Sequence, residues 1–323
     1  MDETRSSGHE GRIRIDDDGM PANQPTRRRA AEPLHLTSSR RRLRVLGPLT
    51  AFVLLAYAIT WGWTFPLVAA GDVVGKGTGW PTHLPALLGP GIAAIVVTAL
   101  VWGRSGIHDL LARMALWRMP WRWWAATLSP LAFLGAALAV AAATGKLPSG
   151  SDFGRYSGLP AIGIVPVAII AILLTFGEET GWRGFALPLL QRRHSPLAAA
   201  LLVTPIWVVW HLPFFFTVAT YRDFAPVGYV GFAFGIACGS IVLAWLYNGT
   251  GGSILACVVW HGVYNLATGT AGATGTIAAV TSACVFIQAF LIVGLELRAR
   301  RRREPSILGP RQRTSALRRK PLS

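Results

Sequence analysis

Leu173-Leu174-Thr175-Phe176-Gly177-Glu178-Glu179-Thr180-Gly181-Trp182-Arg183-Gly184-Phe185 sets two carboxylates and a guanidinium inside an apolar run. Whether this stretch lies in a membrane decides both the fold and the meaning of its charges. The rest of the chain puts it there. Of 323 residues, 52% are hydrophobic and 14% charged, whereas a soluble globule carries about a quarter charged residues. The formal charge of +16 suggests nucleic acid until its location is considered. Ten Arg lie in residues 1–45, and nine Arg with one Lys lie in 296–323, so twenty of the 31 basic residues flank an apolar middle. A nucleic-acid domain needs basic groups spread over a folded surface, and no nucleic-acid partner is expected. The three cysteines, Cys238, Cys257 and Cys284, sit in apolar stretches and read as packing residues rather than a disulfide or metal framework.

A spanning helix needs about 20 mostly apolar residues. Eight such segments occur, near 47–70, 83–103, 123–144, 162–190, 196–217, 226–247, 252–269 and 273–295. The expected fold is an all-α polytopic membrane bundle. Residues 1–45 and 296–323 have little apolar content and no periodicity, and are expected to be disordered basic tails around a membrane domain at 46–295. If the first tail is cytoplasmic, that side holds Arg40, Arg41, Arg42, Arg44, Arg104, Arg113, Arg118, Arg122, Arg192, Arg193 and the run Arg300 to Arg303. The other side holds Lys76, Lys146, Arg155 and Arg222, offset by Asp72, Asp152 and Asp223. The asymmetry predicts both termini in the cytoplasm, with the plasma membrane as the expected location. Segment 104–122 mixes arginines with Leu110, Leu111, Met114, Trp117 and Trp121, the pattern of an amphipathic helix on the cytoplasmic surface. The basic tails suit contact with anionic lipid.

Ionisable groups at mid-bilayer cost ~2.5–3.5 kcal/mol each and are functional candidates by default. The spans hold very few: Glu178, Glu179 and Arg183 in the fourth, His211 in the fifth, and His261 with the neutral Asn265 in the seventh. Adjacent helical residues point about 100° apart, so Glu178 and Glu179 face different directions. Glu179 and Arg183, at i and i+4, can pair on one face, as can His261 and Asn265. A structural ion pair and interhelical hydrogen bonds would account for each feature separately, but not for three spans sharing them. At ~1.5 Å per residue the three groups reach similar depth only if the fourth helix continues to about 191. A long or tilted fourth helix is therefore predicted past Gly181 and Gly184, kinked before Pro188.

A buried carboxylate with two imidazoles suits hydrolysis. In a metal-free arrangement Glu178 and His211 activate water while His261 and Asn265 donate to the oxyanion. In a metal-dependent one His211, His261 and Glu178 bind Zn²⁺ and leave a position open for water. The residues alone leave both open.

Glu178-Glu179-x-x-x-Arg183, Trp207-x-x-x-His211 and His261-x-x-x-Asn265 resemble, in order and spacing, the three motifs of the CPBP intramembrane proteases. That family is also known as the Abi or type II CAAX prenyl protease family, and its enzymes are described both as metalloproteases and as glutamate-dependent hydrolases. The resemblance covers about residues 160–270. It implies a catalytic Glu178 with His211 as partner, His261 and Asn265 facing the oxyanion or a metal, and Glu179 and Arg183 organising the site. Trp207 stands where the family usually has Phe, which bears on cavity shape. No cofactor is required in the preferred mechanism. The implied partner is a peptide or membrane-protein substrate with a hydrophobic or lipidated end, reaching a site open to the cytoplasm, and a monomer is expected. HExxH and paired membrane aspartates are missing, which separates the chain from the intramembrane proteases that carry them. The alternatives are a proton- or ion-coupled transporter, for which no inverted repeat is visible, and a non-catalytic immunity or scaffold protein.

Overall fold

The computed structural model describes residues 38–310, with side chains from Leu46 onward; the expectations for residues 1–37 and 311–323 lie outside the described residues. All regular elements among the described residues are helical. Five helices are long and apolar enough to span a membrane: α1 (Ser38–Ala69), α2 (Gly89–Met114, extended by a 3-10 turn at Leu84–Leu88), α5 (Ile164–Gly181, continued below), α10 (Pro226–Gly249) and α12 (Thr276–Arg302). A sixth apolar segment is the pair α3 (Trp121–Thr127) and α4 (Ser129–Ala143), bent by 46°. The fifth and seventh expected spans are the shorter apolar helices α7 (Pro196–Trp210) and α11 (Ile254–Gly269). All eight segments are therefore present, and together they form a multi-pass membrane bundle.

Three boundaries differ from those expected. Helix α1 begins at Ser38 instead of after a tail ending at 45. At the other end α12 runs to Arg302, where Arg303 takes a left-handed conformation and turns the chain back. The supposed tail is packed as far as Leu308, which is buried. Glu296 is fully buried and accepts from Arg300 Nε, Ser306 Oγ and the backbone N–H groups of Ile307 and Leu308, while Asn248 Nδ2 donates to Leu308 O. One carboxylate thus gathers five donor contacts that no hydropathy pattern announces. The third difference is the fifth span, which stops at Trp210; two single-turn helices follow, α8 (Phe214–Thr217) and α9 (Ala219–Arg222). Pro213 is the cause, because its ring cannot continue the helix. The amphipathic stretch expected at 104–122 starts where Gly103, at φ 60 and ψ −151, breaks α2 into two helices. Past that break Leu110 is buried while Leu111, Trp117 and Trp121 are exposed.

The site is carried by α5, which packs against α2 on one side and α11 on the other. Close approach depends on small residues. A Cβ on Gly177 would collide with the Leu87–Leu88 backbone, and one on Gly181 with Pro90. These two glycines bracket Glu178 and Glu179, so the tight face of the helix and its charged faces alternate. Thr175 Oγ1 bonds across to Val258 O of α11 at 3.1 Å.

Helicity continues beyond α5 through a π-turn at Trp182–Ala186 into α6 (Leu187–Gln191), giving a 28-residue span, Ile164–Gln191. The predicted long fourth helix is present, and its irregularity falls just before Pro188. Proline at 188 has no N–H for the Gly184 carbonyl four residues back. Arg113 Nη1 donates to that carbonyl at 2.7 Å, and also to Tyr247 Oη at 2.7 Å.

Candidate active site

Glu178 is buried and turned toward α7, where its Oε2 accepts from Trp207 Nε1 at 3.0 Å. Tryptophan at 207 thus does more than fill the place of a phenylalanine, since its N–H aims the carboxylate. Glu179 points the other way, as the 100° step requires. Its Oε1 accepts from Arg183 Nη1 at 2.9 Å, and His261 Nδ1 lies 2.9 Å from the same oxygen. The Arg183 guanidinium also lies over the Trp207 ring, 4.5 Å from its centroid. Two carboxylates that sequence spacing could only separate are thereby assigned to different neighbours.

His211 stands where α7 ends. Its backbone N–H bonds to Val208 O, so the Trp207 carbonyl is free to meet His211 Nδ1 at 2.8 Å. A carbonyl accepts only, which requires the proton on Nδ1 and leaves Nε2 of the neutral ring as an acceptor. In the same way the Glu179 carboxylate holds the proton of His261 on Nδ1, leaving Nε2 for other contacts. Edge-on aromatic contacts fix both rings: Trp207 against His261 at 5.4 Å, and Trp210 and Phe232 against His211 at 4.7 and 5.0 Å.

Glu178, Trp207, His211, His261 and Asn265 all line one mostly apolar cavity of about 760 Å³. Glu179 and Arg183 are not among its walls and act from behind. Sequence spacing could not have found two other polar members. His83, just ahead of the 3-10 turn, and Ser157, in the loop before α5, line the same cavity, and His83 Nδ1 and Ser157 Oγ are buried with no hydrogen-bond partner among the described residues. Burial lowers the His83 pKa to about 4, so its ring is neutral near pH 7. Neither residue stands at helical spacing from a motif, so the only signal for them was polarity beside a span.

Among the described residues no three His, Cys, Asp or Glu side chains are grouped as a metal ion requires. No step is therefore assigned to a metal.

Two comparisons bear on this cavity. Residues 160–267 match the family described as Rce1-like type II CAAX prenyl endopeptidases. That stretch contains all three motifs, as the resemblance implied. Over 106 residues the chain is also 32% identical to the CAAX prenyl protease 2 of Methanococcus maripaludis, an alignment that covers 32% of this chain and 39% of that protein. The chain thus spans about two fifths of its relative's length. The family match is confined to the helices that carry the site, while α1, α2, the α3–α4 pair and α12 lie outside it.

Proposed function

We propose that this chain is an intramembrane endopeptidase of the CAAX-protease type, cutting a peptide bond near a hydrophobic or lipidated segment. The carrying observation is that Glu178 and His211, with His261 and Asn265, face one apolar cavity. Water entering it is positioned by the Glu178 carboxylate and His211 Nε2. Glu178 takes the proton as the water oxygen bonds to the scissile carbonyl carbon. The developing oxyanion is met by Asn265 and by His261, whose Nε2 donates when the ring carries both protons and Glu179 is its counter-ion. Collapse breaks the C–N bond, and Glu178 returns the proton to the leaving amine.

Catalysis in a dry site gains from fixed dipoles that need no reorganisation, and the Trp207 and Glu179 contacts supply that fixity. Every group in this scheme comes from one chain, so a monomer suffices. The relative's name supports a prenylated or otherwise apolar peptide as substrate.

The test compares peptide termini in membranes holding wild-type protein or Glu178→Gln at matched expression. Glutamine can still accept from Trp207 Nε1, so the fold should persist while cleavage falls by about 100-fold or more. Termini produced equally by both proteins would remove Glu178 as the base.

A further inference from the structure

Tyr156, in the loop between α4 and α5, lies outside the segment that carries the family match, yet it lines the catalytic cavity. The residue is 9% exposed and belongs to an apolar cluster with Leu84, Leu159, Val167 and Ala171. Phenylalanine would satisfy that packing. The hydroxyl has no hydrogen-bond partner among the described residues. A buried tyrosine hydroxyl ordinarily finds one, and leaving such a group unpaired is costly. It is left for a partner inside the cavity.

Local structure fixes where the hydroxyl sits. The chain enters Tyr156 in extended form at Arg155 and is held from two sides. On one side Gly77 N donates to Tyr156 O at 3.0 Å and Gly158 N to Gly75 O at 2.9 Å; on the other Ala271 N donates to Arg155 O at 2.9 Å. The second side is an antiparallel bridge between Tyr156 and Thr270, the residue that follows α11. It lays the tyrosine ring over Gly269, the last residue of α11. A Cβ on Gly269 would stand 3.1 Å from Tyr156 Cε2 and 3.8 Å from the hydroxyl oxygen, so the missing side chain is what admits the ring.

That position bears a simple relation to the reacting groups. His261, Asn265 and Gly269 recur every four residues and so form one stripe along α11, and all three line the cavity. In the reaction proposed above, the oxyanion is met by His261 and Asn265. Gly269 lies one turn further on, about 6 Å away by helical rise. A peptide in extended form advances about 3.3 Å per residue and turns every second carbonyl to the same side, hence about 6.6 Å apart. With the scissile carbonyl at Asn265, the carbonyl two residues along reaches the Tyr156 hydroxyl. A substrate held in an apolar cavity has to pair its backbone groups there, because each unpaired one costs free energy. The phenol is suited to donate. Burial raises its pKa above the ordinary tyrosine value and the Glu178 carboxylate adds to the rise, so it keeps its proton through the neutral range.

We propose that Tyr156 is a substrate-binding residue whose hydroxyl donates to the backbone carbonyl two residues from the scissile bond, fixing the register of the peptide along α11. This rests on the endopeptidase reading and adds to that site a backbone contact supplied from outside the motif helices. A donor that meets a carbonyl is indifferent to side chains, so the contact holds an extended chain in place without selecting its sequence.

The test uses the detergent-solubilised full chain and a synthetic peptide spanning a terminus that Glu178→Gln abolishes in membranes. Tyr156→Phe removes one oxygen and keeps the ring in its apolar cluster, so thermal unfolding should match wild type. Its kcat/KM should fall about 3- to 10-fold, the value of one neutral hydrogen bond. The fall should appear in KM with kcat nearly unchanged, because the contact is made before and during the reaction. A purely structural effect would be the same for every substrate. The deciding reagents are therefore two peptides in which a trans-alkene replaces the peptide bond two residues before, or two residues after, the scissile one. On one of them wild-type protein and Tyr156→Phe should have equal kcat/KM. An undiminished gap on both altered peptides, or no gap on the unaltered one, overturns the assignment of Tyr156 and leaves the endopeptidase reading standing. If Glu178→Gln abolishes no terminus, the endopeptidase reading falls and the assignment of Tyr156 falls with it.

Discussion

Glu179→Gln tests how the buried charges are held. In the native protein Glu179 is fully buried and takes two contacts on one oxygen, from Arg183 Nη1 and His261 Nδ1, each at 2.9 Å. Arg183 is itself 1% exposed, so glutamine at 179 strands a guanidinium in an apolar interior. Breaking a buried pair from one side costs about 3–5 kcal/mol. If instead the two contacts count only as ordinary side-chain hydrogen bonds, at about 0.6 kcal/mol each in a membrane, the loss is about 1 kcal/mol. The two accounts are far enough apart to measure by equilibrium unfolding in mixed detergent micelles. Glu179→Gln combined with Arg183→Met removes both charges and should recover most of the loss. A residue of about 0.5–2 kcal/mol should persist, because the guanidinium at 4.5 Å from the Trp207 ring is gone and that stacking has a value of this size. Cleavage should not return, since His261 has lost the carboxylate that orients it. A double variant as unstable as the sum of its singles would refute the buried-pair account.

Arg113→Met leaves the Gly184 carbonyl and the Tyr247 hydroxyl without their donor, and should cost about 1–3 kcal/mol in the same unfolding measurement; Arg113→Lys, with one suitably placed donor, should recover part of it. Gly235→Leu should keep stability within about 1 kcal/mol yet block cleavage, because a Cβ there meets only Phe286 at 3.9 Å and the larger side chain fills the substrate space; thermal unfolding and terminus counts check the two halves. His83 gives a pH signature. Its folded pKa, lowered to about 4 by burial, lies below the unfolded value of about 6.5, so the unfolded chain binds the extra proton first as pH falls. Its effect is absent above about pH 6.5 and grows to about 3 kcal/mol of lost stability near pH 4. His83→Gln should flatten that part of the pH–stability curve, and an unchanged slope would show that the ring is not buried.

What the sequence revealed and what it concealed divide along physical lines. Span identity was legible because twenty apolar residues in a row leave no soluble alternative, and the depth argument required the fourth helix to pass Gly184. The Glu179–Arg183 pair followed from i, i+4 spacing. The end of α7 at Trp210 was signalled by Pro213 but masked by the aromatic run Phe214-Phe215-Phe216, which keeps hydropathy high through a turn. Glu296 looked like the start of a charged tail because, apart from Arg300 at i+4, its partners are the Ser306 hydroxyl and the Ile307 and Leu308 N–H groups ten and more residues away, which composition cannot register. His83 and Ser157 were invisible for a related reason: the loops carrying them reach the cavity through bridges such as Gly158 N to Gly75 O at 2.9 Å, a long-range pairing with no local period.

The segments outside 160–267 determine what the matched segment can do. Pro188 offers no N–H to the Gly184 carbonyl, and Arg113 donates to it from a helix the family likeness does not cover. On the cavity side, His83 and Ser157 are brought in by the loops after α1 and α4. The motif helices therefore hold the reacting groups, whereas the flanking segments set their register and complete the cavity wall. Two proteins sharing the three motifs but differing in these flanks should perform the same bond cleavage on different peptides. For this chain the difference would reside in the loops that line the cavity, so exchanging segment 70–88, which supplies His83 and Leu87, for that of a relative should shift which termini appear while leaving Glu178 essential.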